Sequence, residues 1–143
     1  MNVQDALNIL MNEEPIVVAG KTFTPESIDE VRLATGDMVY LVRDGGDLWL
    51  SMDPESDEVI LFSDVAEEVD ASAEVASYAG EDYEFSYEAN GKIEDGGEEI
   101  ETVTWREFEK DDGTILRVTE LEVGGESYTS IGNKIPEDEL QEL

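Results

Sequence analysis

One stretch, Asp37–Phe62, constrains the fold more than any other, because short apolar runs alternate there with turn-forming residues. Gly45 and Gly46 supply the positive φ that a tight hairpin turn needs, and Pro54 sets φ for a looser turn. The first apolar run carries apolar side chains on both sides, which predicts a central strand covered on its two faces. The pattern predicts a meander of three antiparallel strands, Met38–Arg43, Leu48–Met52 and Glu58–Phe62.

A short amphipathic helix is predicted at the N-terminus, over Val3–Asn12. Apolar residues recur there at helical spacing, and Pro15 prevents the helix from continuing. Pro136 favours a C-terminal helical turn, because proline suits the first position of a helix. Asn90-Gly91 predicts a tight hairpin. The remaining extended segments predict strands over Ile16–Ala19, Lys21–Thr24, Ser27–Leu33, Ile100–Glu109, Ile115–Val123 and Ser127–Ile131.

The two halves of the chain resemble each other. Gly20-Lys21-Thr22-Phe23 is similar to Gly80-Glu81-Asp82-Tyr83. The turn at Asp44-Gly45 likewise corresponds to the turn at Asp112-Gly113. A period of this length indicates a duplicated unit. The alternative is that any two meanders with Asp-Gly turns look alike.

The fold predicted from these patterns is mainly β. We expect a single domain, residues 1–143, built from two similar antiparallel β-meander lobes related by a pseudo-twofold duplication. The N-terminal lobe would span 1–63 and the C-terminal lobe 80–143, with 64–79 as the connection between them. The short N-terminal helix and the C-terminal helical turn would complete the domain.

Several residues of the second half follow the pattern of a known family. Gly80 and Tyr83 mark its first strand. The pattern continues through Gly96, Trp105, Phe108, Asp112-Gly113, Glu120, Gly132 and Pro136. Gly20, Trp49 and Leu50 give a looser match in the first half. On these residues the chain resembles an uncharacterised bacterial family, domain of unknown function 4178. The resemblance implies an all-β accessory protein, and it carries over no catalytic residue.

Charge is the most extreme property of this sequence. The chain has 38 Asp and Glu against 8 Lys and Arg, a net charge of −30. Such a chain repels nucleic-acid phosphates and anionic lipids, so we expect no direct binding to nucleic acid and no membrane insertion. It would attract a basic protein surface, a polyamine or divalent cations, or it would imitate a nucleic acid. The plainer interpretation is that the carboxylates only solvate the surface.

The sequence contains no His and no Cys. This excludes imidazole- and thiol-based catalysis and zinc sites built from those ligands. No glycine-rich phosphate-binding motif occurs, and the acidic clusters lack the spacing of a calcium-binding loop. We therefore expect no catalysis, no cofactor and no specific metal site. The absence of cysteine, of a spanning apolar segment and of a secretory signal predicts a cytoplasmic protein.

Five aromatic residues are candidates for a partner or ligand surface: Trp49, Trp105, Tyr83, Phe85 and Tyr87. A tryptophan can line a pocket or anchor an interface, and the three others alternate with polar residues as in a strand with one wet face. Burial in the core is the alternative for all five. Arg43, Arg106 and Arg117 lie in or at the ends of strands, and we expect each to neutralise nearby carboxylates.

Three functions remain open on this basis. The leading hypothesis is a non-enzymatic, acidic accessory or binding module that recognises a protein partner. The second is a small-molecule binder, with polyamines and other cations as ligands that suit a carboxylate-rich cleft. The third is a nucleic-acid mimic that blocks a DNA-binding protein.

Overall fold

The computed structural model describes residues 1–66, 69–72 and 74–143. Across these ranges most of the chain is extended, and no helix is long and apolar enough to cross a membrane. Two short 3-10 turns occur at Val123–Gly125 and Glu137–Glu139. The other elements, in chain order, are α1 (Val3–Met11), β1 (Ile16–Val18), β2 (Lys21–Phe23), β3 (Ser27–Leu33), β4 (Met38–Arg43), β5 (Leu48–Asp53), β6 (Glu58–Val65), β7 (Asp70–Ala71), β8 (Val75–Tyr78), β9 (Glu81–Asp95), β10 (Glu98–Glu109), β11 (Ile115–Leu121), β12 (Ser127–Lys134) and β13 (Leu140–Glu142).

Eight of these strands close into an antiparallel barrel. Strands β3 to β6 form one meander and β9 to β12 form a second, each strand pairing with the next. Two pairings that are distant in sequence join the meanders. Val31 of β3 lies opposite Ile93 of β9, and Ser63 of β6 lies opposite Ile131 of β12. A barrel of eight strands has an interior that side chains can fill or that can hold one small ligand.

The helix and a small sheet cover one outer face of the barrel. The small sheet has the strand order β13-β1-β2. Helix α1 confirms the predicted N-terminal helix, and the side chain of Asn2 caps it by accepting a hydrogen bond from the Asp5 backbone N–H at 2.8 Å. Its buried side packs with the outward residues of the barrel, including Val42, Leu50 and Val59. Strand β4 is therefore covered on both faces, as predicted.

A hairpin of β7 and β8 covers a second outer face. It extends the sheet along the first residues of β9. Ala76 of the hairpin packs in a cluster with Tyr83, Phe108 and Leu116, which point outward from the barrel. The segment predicted as a connection between lobes is thus partly built into the sheet, because β6 continues to Val65 and β8 follows closely.

The hairpin predicted at Asn90-Gly91 is wrong, because both residues lie inside the long strand β9. The turn comes later, at Gly96 and Gly97, which have φ values of 61° and 89°. Gly91 serves a different purpose. Strand β3 passes so close that an added Cβ would lie 2.9 Å from the carbonyl oxygen of Arg32.

The mainly β fold is confirmed, but two finer features differ from the prediction. The C-terminal helical turn is only a 3-10 turn, Glu137–Glu139, and β13 follows it directly. The halves also do not form separate lobes. Each contributes four strands to one barrel, because the first and the last strand of each meander pair with the other meander rather than with each other.

Candidate ligand site at the barrel mouth

The middle of the barrel holds a buried arginine. Arg117 on β11 is 2% exposed, and its Nε and Nη2 donate to Glu107 Oε2 at 3.0 and 2.6 Å. Its Nη1 donates to Ser51 Oγ at 3.1 Å. The rings of Trp105 and Phe62 lie 4.6 and 4.7 Å from the guanidinium carbon, within cation–π range. This cation is paired and enclosed, so it is not free to bind a ligand.

Tyr87 closes this cluster towards one end of the barrel. Its O–H donates to Glu107 Oε2 at 2.7 Å and accepts from Trp105 Nε1 at 3.3 Å. Desolvation raises the pKa of Tyr87 to about 12, although the charge of Arg117 opposes this shift. The phenol therefore stays neutral near pH 7 and acts as a hydrogen-bond donor rather than as a base.

Asp64 on β6 organises the other end of the interior. Its Oδ1 accepts from Trp49 Nε1 at 2.9 Å and from Ser130 Oγ at 2.8 Å, while Oδ2 accepts from Arg43 Nη1 at 3.0 Å. The guanidinium carbon of Arg43 lies 5.3 Å from the ring centroids of both Trp49 and Tyr128. Desolvation lowers the pKa of Arg43, but the hydrogen bond and charge of Asp64, together with Tyr128, outweigh it and raise the pKa overall. These hydrogen-bonded side chains form a floor across this end of the barrel.

Above this floor the barrel opens into a cavity of about 510 Å³. This volume lies in the range of small-molecule sites. Five aliphatic side chains line its wall: Leu41, Ile93, Ile100, Val103 and Leu121. Five charged side chains also line it: Asp29, Arg43, Asp64, Glu101 and Glu126. Because Asp64 neutralises Arg43, the other three carboxylates have no ion-pair partner among the described residues.

Glu101 reaches the cavity through the regular alternation of β10, which places it on the inward face with Val103 and Trp105. A β-bulge lies just before it: Glu99 pairs with Glu94 and Glu101 pairs with Ile93, so Ile100 is the extra residue on β10. Ile100 is 57% exposed at the rim of the cavity. Glu101 Oε2 is buried and has no hydrogen-bond partner within the described part of the chain. A buried carboxylate oxygen without a donor is costly, and native structures rarely keep one without a purpose.

Asp29 lies at the rim of the same cavity. Desolvation raises the pKa of Asp29, the nearby charge of Arg43 lowers it, and the negative charge of Glu101 raises it further. A positive charge placed between Asp29 and Glu101 would offset the cost of desolvating Asp29 and the repulsion between the two carboxylates. The electrostatics of this cavity, which we call the barrel mouth, therefore favour a cationic ligand.

The described residues contain no group of three or more Asp, Glu, His or Cys side chains placed to hold a metal ion. An organic cation fits the mouth better, because its aliphatic part can pack against the apolar wall.

No family model, curated protein or solved structure matches the chain. The resemblance to domain of unknown function 4178 therefore stays a prediction.

The five aromatic residues considered as a partner or ligand surface lie on both sides of the barrel wall. Trp49 and Trp105 are each 1% exposed and lie inside the barrel on either side of Arg117, and the hydroxyl of Tyr87, which is 39% exposed, is hydrogen-bonded to Trp105 there. Tyr83 is 2% exposed and lies outside the barrel, beneath the β7–β8 hairpin. Phe85 is 41% exposed and packs edge-on against Phe108, also outside the barrel. The structure does not bring the five together on one surface.

The three arginines follow the expected role in two cases. Arg43 and Arg117 pair with carboxylates, whereas Arg106 donates to the backbone carbonyl of Ser72.

Asp29 and Glu101 were not among the candidate site residues. Strand alternation places Asp29 on the inward side of β3 with Val31, so a signal for it existed. The same alternation places Glu101 on the inward side of β10 with Val103 and Trp105, so a signal existed for it too.

Proposed function

We propose that this protein is a non-catalytic binding protein that holds a small organic cation in the cavity at the barrel mouth. The observation that carries the proposal is Glu101 Oε2, a buried carboxylate oxygen without a donor among the described residues, in a cavity whose described lining has more carboxylates than cations. A ligand N–H group would supply the missing donor, and its charge would balance Asp29 and Glu101. Hydrogen bonds to charged groups are the stronger ones.

The charge of the whole chain supports this choice. A protein with a net charge of −30 raises the local concentration of cations and repels anions. The floor of the cavity also excludes an anionic ligand, because Arg43 is already paired with Asp64. A neutral apolar ligand would leave Glu101 without a donor. Among small ligands, an organic cation therefore satisfies the most groups at this site.

Calorimetric titration of the full chain with three six-carbon probes tests the proposal. Hexylammonium is expected to bind at one molecule per chain, and hexanoate and hexanol to show no saturable binding. The hexylammonium stoichiometry should persist when salt is raised from 20 to 300 mM, because a buried ion pair is screened less than a diffuse ion atmosphere. Binding without a defined stoichiometry, or binding that disappears at the higher salt, would contradict the proposal.

Recognition of a protein partner is the second candidate function. It is favoured by exposed apolar side chains on neighbouring strands, Phe85 on β9 and Val75 on β8, which are 41% and 37% exposed. Exposed apolar side chains of this size can contact a protein partner. We rank this function second because two side chains supply little of the roughly 800 Å² that each partner buries in a stable complex.

We also propose that the barrel arose by duplication within the cytoplasmic bacterial family that the sequence resembles. The pairing of first strand with first strand and last with last is what a pseudo-twofold axis would produce. A hairpin that turns at Ala-Gly also lies near the start of each half, joining β1 to β2 and β8 to β9, and the two turns have matching backbone angles. The φ values are 49° and 79° at Ala19 and Gly20, and 53° and 78° at Ala79 and Gly80.

A further inference from the structure

We infer that the ligand of the barrel mouth is a primary alkylammonium, recognised through its N–H groups by Glu101 and Asp29. This inference rests on the proposed function and narrows it to one class of organic cation. Three observations support it. Protein groups already cover the aromatic faces near the cavity, the free hydrogen-bond acceptors are carboxylates, and the remaining wall is aliphatic.

The aromatic rings beneath the cavity cannot form a cage for a quaternary ammonium. Trp49 is 1% exposed, and Phe62 stacks on its ring at a centroid distance of 4.6 Å. The guanidinium of Arg43 lies over the rings of both Trp49 and Tyr128 at 5.3 Å. Arg43 thus already takes the cation–π position that a trimethylammonium group would need.

The acceptors that remain free require a hydrogen-bond donor. Glu101 Oε2 is buried without one among the described residues, and Asp29 lies at the rim of the same cavity. A primary ammonium offers three N–H donors, whereas a trimethylammonium offers none. A cation without an N–H group would leave Glu101 Oε2 without a hydrogen-bond donor. The site is therefore expected to distinguish two cations of equal charge by their N–H donors.

The aliphatic wall of the cavity indicates that the rest of the ligand is apolar. Leu41, Val103 and Leu121 are aliphatic side chains of three different strands, and they line the cavity together with the carboxylates. An alkyl chain that leaves water for this wall gains roughly 0.8 kcal/mol per buried methylene. The ligand class is therefore an ammonium head with a short aliphatic chain.

Titrations of hexylammonium and hexyltrimethylammonium into the wild-type chain and two variants test the inference. Glu101→Gln removes the anchoring charge, and Glu98→Gln removes the same charge from an exposed position on the same strand, so it is the matched control. Hexylammonium affinity is expected to fall on the order of 10- to 100-fold in the first variant and less than about twofold in the second. Hexyltrimethylammonium is expected to bind wild type at least about tenfold more weakly than hexylammonium.

The outcomes separate this inference from the proposed function. Equal affinity for the two probes, at one molecule per chain, would overturn the primary ammonium and leave the cation site standing. Equal loss in the two variants would overturn Glu101 as the anchor. No saturable binding of either probe would overturn the inference and the proposed function together. Circular dichroism of each variant establishes that the fold is retained.

Discussion

Replacement of Arg117 with methionine is expected to lower the free energy of unfolding by about 3–5 kcal/mol, the usual cost of leaving a buried charge without its partner. Arg117 is 2% exposed and donates twice to Glu107 Oε2, so the variant leaves the Glu107 carboxylate in the barrel with Tyr87 as its remaining hydrogen-bond donor. The rings of Trp105 and Phe62 also lose their cation–π contacts. Urea denaturation, monitored by tryptophan fluorescence, measures the change.

Two further variants show whether the loss comes from the broken pair. The double variant Arg117→Met with Glu107→Leu removes both charges, and its stability is expected to return close to that of wild type, because buried ion pairs are often replaceable by apolar residues. Arg32→Met is the surface control. It breaks a pair with Glu94 in which the Arg32 side chain is 53% exposed, and it is expected to cost less than about 1 kcal/mol. If Arg117→Met proves as stable as Arg32→Met, the ion pair between Arg117 and Glu107 is hydrated, and the expected loss from a buried unpaired charge is wrong.

Replacement of Glu101 with glutamine is expected to raise the free energy of unfolding by about 1–2 kcal/mol in the absence of ligand. The substitution removes a carboxylate whose Oε2 is buried with no donor in the described part of the chain and whose charge opposes the ionisation of Asp29. The gain is modest because Glu101 as a whole is only partly buried. Binding sites commonly carry such a stability cost, which disappears when the functional group is removed.

The matched comparison is Glu98→Gln, which changes the net charge equally from an exposed position on β10. It is expected to stay within about 0.5 kcal/mol of wild type. If Glu101→Gln proves less stable than wild type, the Glu101 carboxylate has a stabilising partner, and the electrostatic argument for the mouth is wrong. If both variants gain equally, the effect comes from general charge repulsion across the acidic surface.

Local sequence patterns predict the strands well because each strand depends on its own alternation and turns. The predicted limits of Ser27–Leu33 and Met38–Arg43 agree with β3 and β4 residue for residue. The closure of the barrel could not be predicted in the same way. It depends on the pairing of β3 with β9 and of β6 with β12, which bring together residues far apart in the chain.

The candidate site shows the same limit at single residues. Regular alternation along β10 places Glu101 on the inward face with Val103 and Trp105, but it does not place Glu101 in one cavity with Asp29 of β3. That proximity depends on the pairing of β3 with β9 and of β9 with β10. The partner of Arg117 is similarly hidden, because the pair with Glu107 forms only when β10 and β11 take their observed register.

The most direct measurement of the central claim uses the two tryptophans as internal reporters. Trp49 Nε1 donates to Asp64 below the proposed site, and Trp105 Nε1 donates to Tyr87 towards the opposite end of the barrel. In a ¹⁵N–¹H NMR spectrum, saturation with hexylammonium is expected to shift the indole N–H signal of Trp49 and to leave that of Trp105 in place. A larger shift at Trp105, or no shift of either signal at saturation, would contradict ligand binding at the barrel mouth.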